Sequence, residues 1–337
     1  MKEAMLYERQ NRKRVRCLLC AHRCLIAEGK RGICLVRENH GGILYTQAYG
    51  KSISQGVDPV EKKPLFHFHP GSRAFSIATA GCNFRCRFCQ NWEVSQVLQK
   101  SGSIWGEELP PDRIVNLAQQ TGCQSIAYTY TEPTIFFEYA YDTAKLAHEA
   151  GLNNVFVTNG YMTEKALEII QPHLEAANVD LKSFDDTFYK KWVGARLQPV
   201  LDTLKMMKGL GIWVEVTTLV IPTLNDSEDN LHCIAEFIVE ELGEATPWHV
   251  SRFYPAYELK DLPQTPIKVL ESARAIGLQA GLRYVYVGNV PESEGIDTFC
   301  YNCGHLLIRR SGQALSEYHI EAGHCYHCGA KIDGIGM

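Results

Sequence analysis

Along most of the chain, apolar runs of four to eight residues alternate with stretches in which apolar positions recur every three or four residues. The short runs predict strands at Ala74–Ala80, Ser125–Tyr128, Asn154–Val157, Ala177–Leu181, Trp213–Val220, His249–Phe253 and Tyr284–Val287. The longer periodic stretches predict helices near Pro111–Gln120, Ile135–Ala150, Thr163–Gln171, Val200–Gly209, Ser227–Glu241 and Ile267–Gly277. Pro111 suits a first helical position, and Gly151, Gly211 and Gly243 suit helix ends. Strands alternating with helices of this length predict βα units and a parallel sheet. Six or seven units are too few to close an eight-fold barrel, so the expected fold is α/β, an open, partial parallel β/α barrel.

This pattern divides the chain. Residues 73–297 form the expected barrel core. Residues 41–72, punctuated by Gly and Pro with a strand-like piece at Ile43–Tyr49, predict a connector packed on it. Residues 1–40 and 298–337 are cysteine-rich and predict two small metal-binding lobes. Apolar residues make up 45% of the 337, enough for a large core. A net charge of −4 gives no electrostatic case for nucleic acid. The sequence has no long uninterrupted apolar run, and its N-terminus has no signal-peptide core, so the expected compartment is the cytoplasm with no membrane partner.

Thirteen cysteines in such a compartment point to metals rather than disulfides. Cys123 and Cys233 stand alone and read as small apolar residues. The rest cluster. Cys82, Cys86 and Cys89 form a C-x3-C-x2-C array in GCNFRCRFCQN, directly after a predicted strand. Three thiolates this close can hold three irons of a 4Fe-4S cluster and leave the fourth open to a ligand. A zinc knuckle or redox thiols are the plainer alternatives, though no fourth ligand lies nearby for zinc. Cys300, Cys303, Cys325 and Cys328 form two C-x2-C knuckles, each followed by Gly, in a zinc-ribbon spacing. Cys17, Cys20, Cys24 and Cys34 suit zinc or an auxiliary 4Fe-4S cluster, with zinc favoured. His67 and His69 share a face if extended. They read as satisfied, partly exposed side chains and stay outside the expected site.

The cysteine array resembles the signature of the radical S-adenosylmethionine (SAM) superfamily. That resemblance implies a reduced 4Fe-4S cluster that cleaves SAM to a 5′-deoxyadenosyl radical. In a parallel α/β barrel the site lies at the C-terminal strand ends, so polar residues there are the expected SAM contacts. Glu132, in Tyr-Thr-Glu, stands where the superfamily carries Gly-Gly-Glu and would meet the SAM ammonium. Thr158 and Asn159 would meet the ribose or the methionine carboxylate. Asp180 and Lys182 would meet a ribose hydroxyl and the carboxylate, and His249 completes the expected set. These stretches resemble glycyl-radical-enzyme activases. The activase arginine on the fifth strand is missing from Val216–Pro222, and Arg252 is the candidate replacement.

The chain as a whole resembles the AmmeMemoRadiSam system radical SAM enzyme family. The resemblance runs through CLLCAHRCLIAEGKRGICLVR, DPVEKKPLFHF, YTYTEPTIFFEYA, DLKSFDDTFY, VIPTLNDSEDN and HVSRFYPAY, together with both cysteine lobes. It implies Memo-like or AMMECR-like partners, a one-electron donor such as flavodoxin or ferredoxin, and an unassigned substrate. Two alternatives stand beside it: a pyruvate formate-lyase-like activating enzyme, and a non-catalytic iron–sulfur or zinc assembly protein.

Overall fold

The computed structural model describes residues 1–290 and 294–337. Its centre is one eight-stranded sheet in unbroken chain order. The strands are β1 (Ser54–Pro59), β2 (Arg73–Ala78), β3 (Ser125–Tyr128), β4 (Asn153–Thr158), β5 (Ala176–Asp180), β6 (Trp213–Val220), β7 (Trp248–Arg252) and β8 (Val285–Gly288). Strands β2 to β8 run parallel. β1 runs antiparallel to β2, from Ser54 opposite Ala78 to Pro59 opposite Arg73. β1 and β8 end the sheet and do not pair with each other among the described residues, so the barrel is open, as the βα count predicts.

Each parallel crossover carries one main helix: α1 (Pro111–Gln120), α2 (Phe137–Glu149), α3 (Glu164–Ile170), α4 (Gln198–Gly209), α5 (Glu228–Phe237) and α6 (Ile267–Gln279). Local chemistry sets their starts. Pro111 opens α1 where its missing N–H costs nothing. Thr163 caps α3 by accepting from Ala166 N–H, and Ser227 caps α5 by accepting from Asn230 N–H. α1 buries Ile114, Val115 and Ala118 against the sheet, the stripe that its periodicity predicts.

Part of segment 41–72 is integral to the sheet. β1 reads SQGVDP, with one large apolar residue, and escapes a search for apolar runs. After it, residues Pro64–His67 close the barrel floor. Asn178 on β5 donates to Pro64 O at 2.8 Å. The buried Glu215 on β6 accepts from the backbone N–H groups of Phe66 and His67.

The N-terminal residues form two small three-stranded antiparallel sheets. They dock on α2 through a buried Arg37–Glu138 fork at 2.7 and 3.1 Å and on the loop after β4 through Ala21 N–H to Tyr161 O. The C-terminal residues carry a hairpin, β9 (Leu306–Ser311) and β10 (Ala314–Tyr318). They dock on the floor. Arg310 donates to Phe66 O, and the His67 imidazole bonds Asp333 O and Tyr286 OH. His67 is therefore fully buried, which corrects the partly exposed reading.

Candidate functional site

The parallel strands deliver their polar ends to a single cavity of about 450 Å³. Cys82, Cys86 and Cys89, on the loop after β2, line one wall. Glu132 follows β3. Thr158 and Asn159 end β4, while Asp180 ends β5 with Lys182 just beyond. All eight residues were expected in the site, and all line the cavity.

His249 does not line it. It sits at the N-terminal end of β7, where its Nε2 meets Glu215 at 2.7 Å and its ring stacks on Tyr286. It belongs to the floor. Ser251, on the same face one pleat higher, reaches the cavity instead. Arg252 also stays out, since its Nε donates to Thr265 O at 2.8 Å. The cavity adds residues that the motifs did not single out: Asn178 on β5, Thr217 on β6, Asn289 after β8, Tyr130, Lys62 and Gln313 at the β9–β10 turn. Period-two alternation from Asp180 back to Asn178 was the available signal for the first of these. Gln313 had none, because only tertiary docking brings the hairpin turn to the cavity wall.

Glu132 is buried, and protein donors fill its carboxylate. Oε1 accepts from Thr134 N at 3.0 Å, from Thr158 Oγ1 at 2.7 Å and from the Thr134 hydroxyl. Oε2 accepts from Asn159 N at 2.7 Å. It ties the end of β3 to the end of β4. Burial pushes its pKa up, and those hydrogen bonds oppose the rise. Lys182 Nζ lies 2.9 Å from Asp180 Oδ2. Burial works against the ammonium, but Asp180 and the Cys86 sulfur outweigh it and raise the pKa.

Burial also pushes the three thiols up, Cys86 to about 12. Burial thus disfavours bare thiolates here, and a bound metal cluster would supply the compensating positive charge. The local donors fit sulfur ligands. Phe84 N–H lies 3.4 Å from Cys82 Sγ, and Ser95 Oγ lies 3.1 Å from Cys89 Sγ. Among the described residues, the trio does not gather its sulfurs within 4.8 Å of one another as a single ion requires. The C-terminal quartet does: Cys300 and Cys328 are 3.7 Å apart, and Cys303 and Cys325 are 3.8 Å apart. That group can bind one tetrahedral ion.

A profile described as the radical SAM superfamily matches residues 76–232. The chain belongs to the radical SAM superfamily. A relative spanning nearly the whole chain, an uncharacterized protein of Methanocaldococcus jannaschii, is 48% identical over 335 residues, 99% of each chain. The pyruvate formate-lyase-activating enzyme of Clostridium pasteurianum is 27% identical over 194 residues, 53% of this chain and 76% of that one. Two solved structures share the fold. Streptococcus suis SuiB bound to S-adenosylmethionine superposes with a TM-score of 0.52 at 14% identity, over 68% of this chain and 53% of that one. A radical SAM methyltransferase from Sphaerobacter thermophilus gives 0.51 at 15% identity, over 71% of each. Among the described residues no helix is long and apolar enough to cross a membrane.

Proposed function

We propose that this chain is a radical SAM oxidoreductase in which Cys82, Cys86 and Cys89 hold the catalytic 4Fe-4S cluster. When bound, the reduced cluster and SAM supply a 5′-deoxyadenosyl radical that abstracts hydrogen from a protein or small-molecule substrate. One observation carries the reading: the cysteine trio and the polar ends of β4 to β7 line the same cavity. Asp180 presents a carboxylate oxygen and Lys182 a paired ammonium, a donor set suited to a ribose hydroxyl and an amino-acid carboxylate. Asn159 Nδ2 lies 3.9 Å from Cys82 Sγ and can orient that ligand. Glu132 holds Thr158 and Asn159 in place. The C-terminal quartet takes zinc and fastens the hairpin that carries Gln313.

The test is release of 5′-deoxyadenosine from SAM by anaerobic, reduced, cluster-loaded protein. No release from protein carrying a full cluster refutes the reading and favours an assembly role. A second reading, a glycyl-radical-enzyme activase, draws support from the Clostridium pasteurianum similarity and from two putative glycyl-radical enzyme activating enzymes of Methanocaldococcus jannaschii at 24% and 26% identity. It predicts a stable glycyl radical on a partner enzyme by electron paramagnetic resonance. The whole-chain resemblance favours Memo-like or AMMECR-like proteins as partners and flavodoxin or ferredoxin as the electron donor. Deuterium moving from such a labelled partner into 5′-deoxyadenosine is the expected signature, and deuterium remaining on it removes that partner as the substrate.

A further inference from the structure

Cys17, Cys20, Cys24 and Cys34 line a second, separate cavity in the N-terminal region. Their spacing in sequence admits one zinc ion or a cluster. Sulfur separation distinguishes the two. A single tetrahedral ion with bonds of about 2.3 Å holds its sulfurs about 3.8 Å apart. A 4Fe-4S cluster seats each thiolate on a different iron and spreads the sulfurs to roughly 6 Å. The C-terminal quartet, at 3.7 and 3.8 Å, has the single-ion spacing. Among the described residues, no three of the N-terminal sulfurs gather within 4.8 Å, and neither does the trio Cys82, Cys86 and Cys89. Neither group therefore has the single-ion spacing of the C-terminal quartet.

Two side chains in the cavity wall point independently to an anionic, sulfur-rich occupant. Arg37 and Asn83 both line the cavity, and each is only 1% exposed. Arg37 spends two guanidinium nitrogens on Glu138. Among the described residues its Nε has no hydrogen-bond partner, and neither does Asn83 Nδ2. Leaving a buried donor unpaired costs about 1–3 kcal/mol. Cluster sulfurs accept N–H bonds of this kind, and a buried cation offsets cluster charge.

The wall between the two cysteine sites is thin. Asn83 follows Cys82 in sequence and lines the N-terminal cavity. Its carbonyl meets His22 Nε2 at 2.8 Å, and its Oδ1 accepts from Asn159 Nδ2. A Cβ on Gly81 would lie 3.1 Å from the Cys34 carbonyl oxygen.

We propose that Cys17, Cys20, Cys24 and Cys34 hold a second 4Fe-4S cluster, ligated at all four irons, that passes electrons to the cluster at Cys82, Cys86 and Cys89. In that step one electron leaves the reduced second cluster and enters the oxidised first one. A low-potential one-electron carrier protein then re-reduces the second. The electron transfer rests on the function proposed above, whereas the presence of the cluster does not.

The test uses full-length protein loaded anaerobically with iron, sulfide and zinc all present. It should bind about eight irons, about eight sulfides and about one zinc per chain. The triple variant Cys82→Ala, Cys86→Ala, Cys89→Ala should keep about four irons with the Mössbauer signature of a 4Fe-4S cluster. Wild-type protein with about four irons and about two zincs overturns the proposal, and this count needs no variant to fold. In fully reduced wild type, electron paramagnetic resonance should show two mutually broadened cluster signals. The triple variant should show one unbroadened signal. Two unbroadened signals in wild type overturn the electron transfer while leaving the cluster count intact. Eight irons without 5′-deoxyadenosine release would sink the proposed activity and leave the second cluster standing.

Discussion

Glu132→Gln tests whether the carboxylate is a structural tie or a reserved ligand for SAM. In the wild type, Oε1 serves Thr134 N–H and two threonine hydroxyls, and Oε2 serves Asn159 N–H. A glutamine amide has one acceptor oxygen where the carboxylate has two. If that oxygen stays with the threonines, the new NH₂ faces Asn159 N–H, donor against donor. If the amide flips, Asn159 is satisfied, and the threonine hydroxyls can turn to accept, but Thr134 N–H is stranded. Either orientation leaves one buried backbone N–H without an acceptor, at a cost of about 1–3 kcal/mol. The cost is local, so the assay is amide hydrogen exchange in protein without SAM. At 1.4 kcal/mol per factor of ten, exchange at Asn159 or Thr134 should speed up roughly five- to 150-fold. Amides far away, such as Leu167 N–H on α3, should not change. If both amides exchange at wild-type rates while SAM affinity falls, the carboxylate acts on the ligand alone and the tie does not exist.

The floor of the barrel should be sensitive to acid through His67. Burial pushes its imidazole down to about 4, from an ordinary 6.5. Below 6.5 the unfolded chain binds the proton first, so stability falls as the pH drops from 6.5 to 4, by about 3 kcal/mol at most. His67→Gln should flatten that window in chemical unfolding followed across pH, and parallel curves for variant and wild type would show that another group controls it. Cys328→Ser should lose about one zinc per chain and speed proteolysis within residues 298–337, while unchanged zinc content would refute the four-thiolate site. Gly160→Ala should destabilise by about 1–3 kcal/mol, because φ is +68° there and a Cβ would lie 2.9 Å from Val179 Cγ1. An unchanged melting temperature would mean the β4 end relaxes freely.

The barrel was readable because strands of a parallel sheet are buried on both faces and appear as unbroken apolar runs. β1 was not, since an antiparallel edge strand needs little apolar surface and is specified by its pairing with β2. The cysteine groups were readable as ligand sets, but spacing along a chain does not give separation in space, so the metal in the N-terminal group could not be read from it. The misplacement of His249 has a related cause. Alternation along a strand tells which face a side chain takes, but not its height in the barrel. Height comes from register. His249 pairs with Thr217, a residue that reaches the cavity, yet the long imidazole turns to Glu215, the next inward position below Thr217. The Glu215 carboxylate is itself fixed by four donors: Phe66 N, His67 N, Trp213 Nε1 and His249 Nε2. Burial works against its charge, and the His249 contact holds its pKa low nonetheless. Once the 64–67 segment supplies two of those donors, His249 is committed to the floor, and the cavity position on β7 passes to Ser251.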